Sequence, residues 1–179
     1  MSNSQDPKLI ERCMQGDRRA LEQLVDAYER PVYNAAYRYL GNPDDAADVT
    51  QAVFLKAFEH LDQYDPKFKF FSWIYRIAIN ESINYIKRNR KQEPLDEHIA
   101  SNSDSPEELA QSENVSDGIQ KALMELQEHY RVVVVLRHFS DCSYQQMSEI
   151  LHIPEKTVKS RLYSARQLMK DILSEQGLK

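Results

Sequence analysis

Residues 70–91 read FFSWIYRIAINESINYIKRNRK, and their periodicity decides the fold class. Advancing by 100° per residue places Phe70, Phe71, Ile74, Tyr75, Ile77, Ala78, Ile79, Tyr85 and Ile86 on one broad apolar face, the signature of a helix buried on most sides. The remaining stripe collects Trp73, Arg76, Asn80, Asn84 and Lys87, three or four apart and so aligned along one edge. Solvated helix faces are ordinarily Glu/Lys mixtures. Here an aromatic ring, a guanidinium and two amides share an edge and run into Lys87, Arg88, Arg90 and Lys91. Aromatic rings stack on unpaired bases, amides read base edges, and Arg and Lys hold phosphates. The plainer reading puts Trp73 in the core and makes the basic run a helix end favoured by the macrodipole.

Outward from this helix the chain keeps the same character. It has 179 residues, 41% hydrophobic and 28% charged, with only four glycines, which predicts an all-α protein. The breakers divide it into two small helical domains, 1–91 and 116–179, the second a helix-turn-helix. A flexible acidic linker over 92–115, rich in Ser, Asn and acids and carrying Pro94 and Pro106, joins them. The formal net charge of −5 argues against indiscriminate coating of DNA, yet charge is segregated along the chain. Residues 67–91 carry seven bases against Glu81; residues 92–129 carry ten acids against Lys121; residues 152–170 carry five bases against Glu155. Two basic surfaces flanking an acidic connector keep binding local.

Upstream, Lys8–Gln15 and Asp17–Tyr28 read as amphipathic helices, Asp17 serving as N-cap and Leu21, Leu24, Val25 and Tyr28 facing inward. Pro31 is expected to kink or interrupt the continuation to Leu40. Gly41-Asn42-Pro43 then stops one helix and starts the next, with Asn42 as cap. In Asp44–Leu61, Ala46, Val49, Val53, Phe54, Ala57, Phe58 and Leu61 face inward, while Asp45, Asp48, Gln51, Ala52, Leu55, Lys56 and Glu59 form the outer edge. Leu55 among polar neighbours suggests a protein-contact face; the acids of the first turn also suit the helix dipole. The loop Asp62–Lys69 interleaves Tyr64, Lys67, Phe68 and Lys69 around Pro66, a composition suited either to a plain surface loop or to the wall of a pocket for an extruded base.

Downstream, a short helix over Ser116–Leu126 and an apolar one through Tyr130–His138 precede SYQQMSEILHIPEKTVKSRLYSARQLMK, residues 143–170. Ser143 and Gln146 make a capping box. Met147, Ile150 and Leu151 on one helix, and Val158, Leu162 and Ala165 on the next, face each other across the turn His152-Ile153-Pro154. Two helices, a three-residue turn and this spacing specify a helix-turn-helix rather than a generic hairpin. His152 stands in the turn where Gly is often found. The outward face of the second helix offers Lys156, Thr157, Lys159, Ser160, Tyr163, Ser164 and Arg166. Cys13 and Cys142 match no metal-ligand spacing, no cofactor site or catalytic constellation is legible, and no run approaches a membrane span, so a cytoplasmic protein without membrane insertion is expected.

Taken together these residues resemble the extracytoplasmic-function (ECF) sigma factors, the small two-domain group among bacterial sigma factors. DVTQAVFLKAF at 48–58 is similar to the family's core-polymerase-binding helix, FFSWIYRIAIN at 70–80 to its promoter-melting and −10-reading helix, and Tyr130–Lys170 to its −35-reading helix-turn-helix. The resemblance implies that Asp48, Gln51, Ala52, Leu55 and Glu59 dock on the clamp helices of the largest subunit of core RNA polymerase. It implies −10 contacts by Trp73, Arg76, Asn80 and Asn84, with Lys87 and Arg88 beside them and a flipped base held by the loop carrying Tyr64, Lys67, Phe68 and Lys69. It implies −35 contacts by Lys159, Ser160, Tyr163 and Ser164, with Lys156, Thr157, Arg161 and Arg166 beside them. Two positions depart from common family usage: Ala52 stands where an acid is frequent, and Ser164 where a base is. Such a protein is a non-enzymatic promoter-specificity subunit whose partners are core polymerase, promoter DNA and an anti-sigma factor. The rival readings are a stand-alone helix-turn-helix regulator of duplex operators, and a sigma mimic that titrates a regulator.

Overall fold

The structure, a computed structural model, describes residues 6–92 and 110–177. Four helices form a first group: α1 (Asp6–Met14), α2 (Arg18–Leu40), α3 (Pro43–Glu59) and α4 (Phe70–Gln92), with one 3₁₀ turn at Leu61–Gln63. Four more form a second: α5 (Ala110–Glu125), α6 (Glu128–Val134), which widens into a π turn at Val135–Phe139, α7 (Tyr144–Leu151) and α8 (Glu155–Glu175). The connector expected at 92–115 falls mostly outside the described residues; α5 begins at Ala110, ahead of the helix expected from Ser116. Among the described residues no helix is long and apolar enough to cross a membrane.

Local chemistry sets the helix ends. The Oδ1 of Asp17 accepts from the amides of Arg19 and Ala20, and Asn42 does the same for Asp44 and Asp45 with Pro43 behind it in the first turn. Gly41 closes α2 in the left-handed region, φ 81°, its amide donating to Tyr37. The expected interruption at Pro31 does not occur: α2 is continuous from Arg18 to Leu40. Proline removes one amide, but Leu24 and Tyr28 before it and Val32, Ala35, Ala36 and Tyr39 after it are all buried, and that continuous apolar stripe outweighs the lost hydrogen bond.

α4 lies at the centre of the first group with Phe70, Phe71, Ile74, Tyr75, Ala78 and Ile79 buried, while Ile77, Tyr85 and Ile86 are half-buried. Polar clasps fix it to α3: Tyr85 Oη donates to Asp45 Oδ1 at 2.6 Å, and Lys56 Nζ to Glu81 Oε1 at 2.6 Å. In the second group α6 and its π turn carry Val132–Leu136, all buried, with α6 packed on α8 and the π turn on α2.

The two groups dock on one another, which the sequence reading did not anticipate. Buried side chains of both belong to one contiguous cluster. α7 packs on α4, and the π turn and α5 pack on α2. Arg131 anchors the seam: its guanidinium donates to the carbonyls of Leu123, Met124 and Leu126 within the second group and, at 2.9 Å, to that of Tyr39 in the first. Arg38 answers from α2, donating to Gln120 Oε1 at 3.1 Å and lying 4.7 Å from the centroid of the Phe139 ring.

Candidate nucleic-acid and polymerase interfaces

Three exposed faces hold the candidate residues. On α3, Asp48, Gln51, Leu55 and Glu59 are exposed and Ala52 is half-buried. Leu55 keeps 59% of its surface in water, unusual for a leucine in a folded helix. Beside it runs a groove of about 720 Å³ between α2 and α3, floored by Phe54 and Phe58 and walled on the α2 side by Val25, Arg30 and Tyr33. The α2 wall was missed from sequence; Val25 in particular reads as an inward residue, and only the crossing of the two helices turns it into a groove lining.

On α4 and its preceding loop the candidates divide. Tyr64 is buried: its hydroxyl donates to the Phe68 carbonyl at 2.6 Å, and its ring meets Phe70 and Trp73 edge-on, both at 5.6 Å. Lys67, Phe68 and Lys69 are exposed around the turn that Asp65 closes by accepting from the Lys67 amide. Trp73 is half-buried, its ring packed on those of Phe70 and Tyr64. Asn80, Asn84, Lys87 and Arg88 are exposed along the helix. Arg76 does not reach solvent freely; its Nη2 donates to the Glu149 carbonyl of α7 at 2.7 Å.

A polar hollow of about 340 Å³ opens between Asn84, Lys87, Arg88, Lys56 and Glu81. Glu81 is buried, and Lys56 pairs with it, which offsets a carboxylate that would otherwise repel phosphate from this basic end. That pairing joins residues 25 apart on two helices and leaves no local sequence signal.

The helix-turn-helix is built as its spacing demands. The Gln146 amide donates to Ser143 Oγ at 3.1 Å while the Ser143 amide donates to Gln146 Oε1 at 2.9 Å, completing the capping box. His152 turns the chain with φ 52°, its amide donating to Ser148. Val158, Leu162 and Ala165 are buried. Outward, Lys156, Lys159, Ser160 and Tyr163 are exposed, Tyr163 at 69%, while Thr157, Arg161 and Ser164 are half-buried. Arg166 turns back toward α6, its Nε lying 3.4 Å from His138 Nε2. Burial first, and then the Arg166 and Arg137 charges, lower the His138 pKa. Tyr144, at the start of α7, was missed: Arg137 and Lys159 flank its ring at 5.3 and 5.4 Å, so it gathers two cations beside the candidate −35 face.

The comparisons with known proteins cover both groups. Residues 24–92 match the family model of sigma-70 region 2, and residues 116–169 that of sigma-70 region 4. The chain is 32% identical to the ECF RNA polymerase sigma factor SigW of Bacillus subtilis, over 94% of this chain and 96% of the relative. The fold is similar to that of CnrH, solved in complex with the cytosolic domain of CnrY, with TM-score 0.73, 24% identity and coverage of 93% and 96% of the two chains. It is also similar to the sigma factor RpoE in complex with the anti-sigma factor NepR from Bartonella quintana, with TM-score 0.70, 23% identity and coverage of 86% and 96%. Two sigma regions in order on an all-helical chain, matched nearly end to end by a relative above 30% identity, place this chain in the family of ECF sigma factors, alternative sigma factors of RNA polymerase.

Proposed function

We propose that the α3 face, Asp48, Gln51, Ala52, Leu55 and Glu59 with the adjoining groove, docks core RNA polymerase, that α8 reads the −35 duplex, and that α4 captures unpaired −10 bases. The observation that carries this reading is the exposed row on α4. Asn80 and Asn84 stand in solvent between the partly open Trp73 ring and the basic end Lys87 and Arg88. A regulator that only binds duplex operators has no use for such a row, whereas bases leaving a duplex need a ring to stack on, amides for their edges and cations for their phosphates. Each captured base contributes on the order of 1–3 kcal/mol by stacking, so a few suffice to nucleate strand opening without nucleotide hydrolysis or any catalytic group. An anti-sigma protein is the further partner implied, in keeping with the RpoE–NepR complex, and the site of action is the cytoplasm where polymerase works.

The test starts from core polymerase and templates that the resulting holoenzyme selects from a random-sequence library. In Trp73→Ala/Asn80→Ala, permanganate-reactive open complexes are expected to fall about tenfold or more, the equivalent of 1.4 kcal/mol, while co-elution with core polymerase is retained. The Asp48→Ala/Gln51→Ala/Leu55→Ala variant should behave oppositely and lose co-elution. Duplex binding by the free chain that neither set of changes affects, with no effect on transcription, would favour the stand-alone regulator.

A further inference from the structure

Lys56 and Glu81 clasp α3 to α4, but the two ends of the clasp are not equally placed. The Glu81 side chain keeps 8% of its surface in water and the Lys56 side chain 48%, at an Nζ–Oε1 distance of 2.6 Å. The carboxylate is the buried end and the ammonium the outer one. An ammonium has three N–H donors and Glu81 takes one, which leaves two for the solvent side. The pair opens onto the polar hollow of about 340 Å³, whose other walls are Asn84, Lys87 and Arg88. Among the described residues neither Lys87 nor Arg88 takes part in an ion pair. Three cations thus surround one concavity, and a single buried acid answers one of them. A clasp that served only to join two helices would be weakened by two further unpaired cations beside its ammonium, because like charges repel.

We propose that this hollow seats a backbone phosphate of the strand that α4 captures, with Lys56 as a DNA-binding residue and Glu81 as the positioning residue that holds its ammonium outward. The proposal rests on the α4 reading above. Asn80 and Asn84 are exposed one turn apart on the same edge, and Asn84 also borders the hollow. A strand whose base edges meet the two amides therefore brings its phosphates to the mouth of the hollow. Phosphate suits the lining. Two unpaired cations leave it net positive, the Asn84 amide supplies a neutral donor, and ammonium and guanidinium groups make charge-assisted bonds to phosphate oxygens. Glu81 contributes by preorganisation: a free lysine loses rotamer freedom on binding, whereas Lys56 is already held before the strand arrives. The seat also moves a boundary. Lys56 follows Leu55, about 100° further round α3, so the strand bears on α3 directly beside the candidate polymerase-docking row. DNA and polymerase then meet along one helix.

The experiment uses holoenzyme assembled from the full chain and core polymerase on a template that it selects. The non-template strand carries one uncharged methylphosphonate linkage at a time through the melted region. The variant is Lys56→Gln/Glu81→Gln, which keeps the net charge and avoids the buried unpaired carboxylate that Lys56→Gln alone would leave. In unaltered holoenzyme one linkage is expected at which the methylphosphonate weakens open complexes about fivefold or more, inside the usual coupling range for groups in direct contact. In the variant that linkage should lose its effect, to within about twofold, while sensitivity at the other linkages and co-elution with core polymerase are kept. Lys56→Arg, with Glu81 in place, retains a cation for the phosphate and should keep the effect. Arg18→Gln/Glu22→Gln, the same neutral exchange of an exposed ion pair on α2 outside the hollow, should leave the whole scan unchanged. A scan that Lys56→Gln/Glu81→Gln does not alter, while Trp73→Ala/Asn80→Ala still loses open complexes, overturns the seat and leaves the α4 reading standing. Loss of co-elution in Lys56→Gln/Glu81→Gln assigns the pair to the polymerase face and also overturns the seat. Open complexes that survive Trp73→Ala/Asn80→Ala overturn both.

Discussion

Asp17 shows how one side chain carries two jobs whose contributions can be separated. One carboxylate oxygen caps α2, and the other accepts from Arg12 Nε at 2.9 Å and Nη2 at 2.7 Å. The Arg12 hydrogen bond is the main reason its pKa falls below 3.8, with the Ala20 and Arg19 amides assisting. A carboxyl whose folded pKa is depressed stabilises the fold above its unfolded value, and loses that contribution as pH falls through the folded one. Asp17→Asn retains a capping oxygen and loses the charge. The unaltered chain should be the more stable of the two at neutral pH, and the gap should close as pH drops from 3.8 into more acid solution, read as paired urea midpoints. Because the pair is exposed, the gap should also narrow in high salt. A gap independent of both pH and salt would mean that the cap alone matters. Caps of this kind were legible in the sequence because cap and capped amides lie within three residues: Asp17, Asn42 and the Ser143/Gln146 box all stand where their spacing put them. Arg76 and Glu149 were not, since the partner of each lies 73 residues away.

Elements follow the same division. The helix-turn-helix was legible because its apolar positions and its turn are contiguous, and even its awkward residue was visible: His152 occupies the left-handed region at φ 52°. An exposed non-glycine residue there carries backbone strain with no packing in return. His152→Gly is therefore expected to raise stability by about 0.5–1 kcal/mol, the relieved strain outweighing glycine's extra freedom in the unfolded chain. −35 duplex binding should be unchanged, because His152 lies outside the α8 face. A loss of stability on that change would show that the imidazole makes a contribution its exposure hides. α6 is the contrasting case. Five successive buried residues, Val132–Leu136, carry no periodicity, and nothing local announces that the helix widens into a π turn at Val135–Phe139. The turn sits against α2, with Phe139 under Arg38 and Arg137 donating to the Cys142 carbonyl at 2.9 Å. Its register is tied to tertiary partners, as is the unbroken course of α2 through Pro31.

At the scale of the molecule, the shared core and the Arg131 fork predict that the two helical groups unfold together as one cooperative unit. One contiguous core favours unfolding in a single step. The claim has a convenient probe, because Trp73 is the chain's only tryptophan and sits in the first group, whereas helical circular dichroism reports both. Urea curves from the two signals should overlay. Arg131 decides whether they continue to: it supplies donors to three carbonyls of the second group and one of the first, and a hydrogen bond involving a charged group contributes about 1.5–3 kcal/mol net of the exchange with water. Arg131→Ala leaves those carbonyls without it, mostly at the α5–α6 corner. The second group should lose on the order of 3 kcal/mol or more and unfold first, splitting the dichroism curve in two while the tryptophan curve keeps one later transition. Arg38→Ala, which removes only the fastening between groups, should bring the curves apart with less loss in either. Curves that stay superimposed in both variants would assign the cooperativity to the apolar contacts of α7 on α4 and of the π turn on α2, and would mean that the polar seam orients the two groups without joining their stabilities.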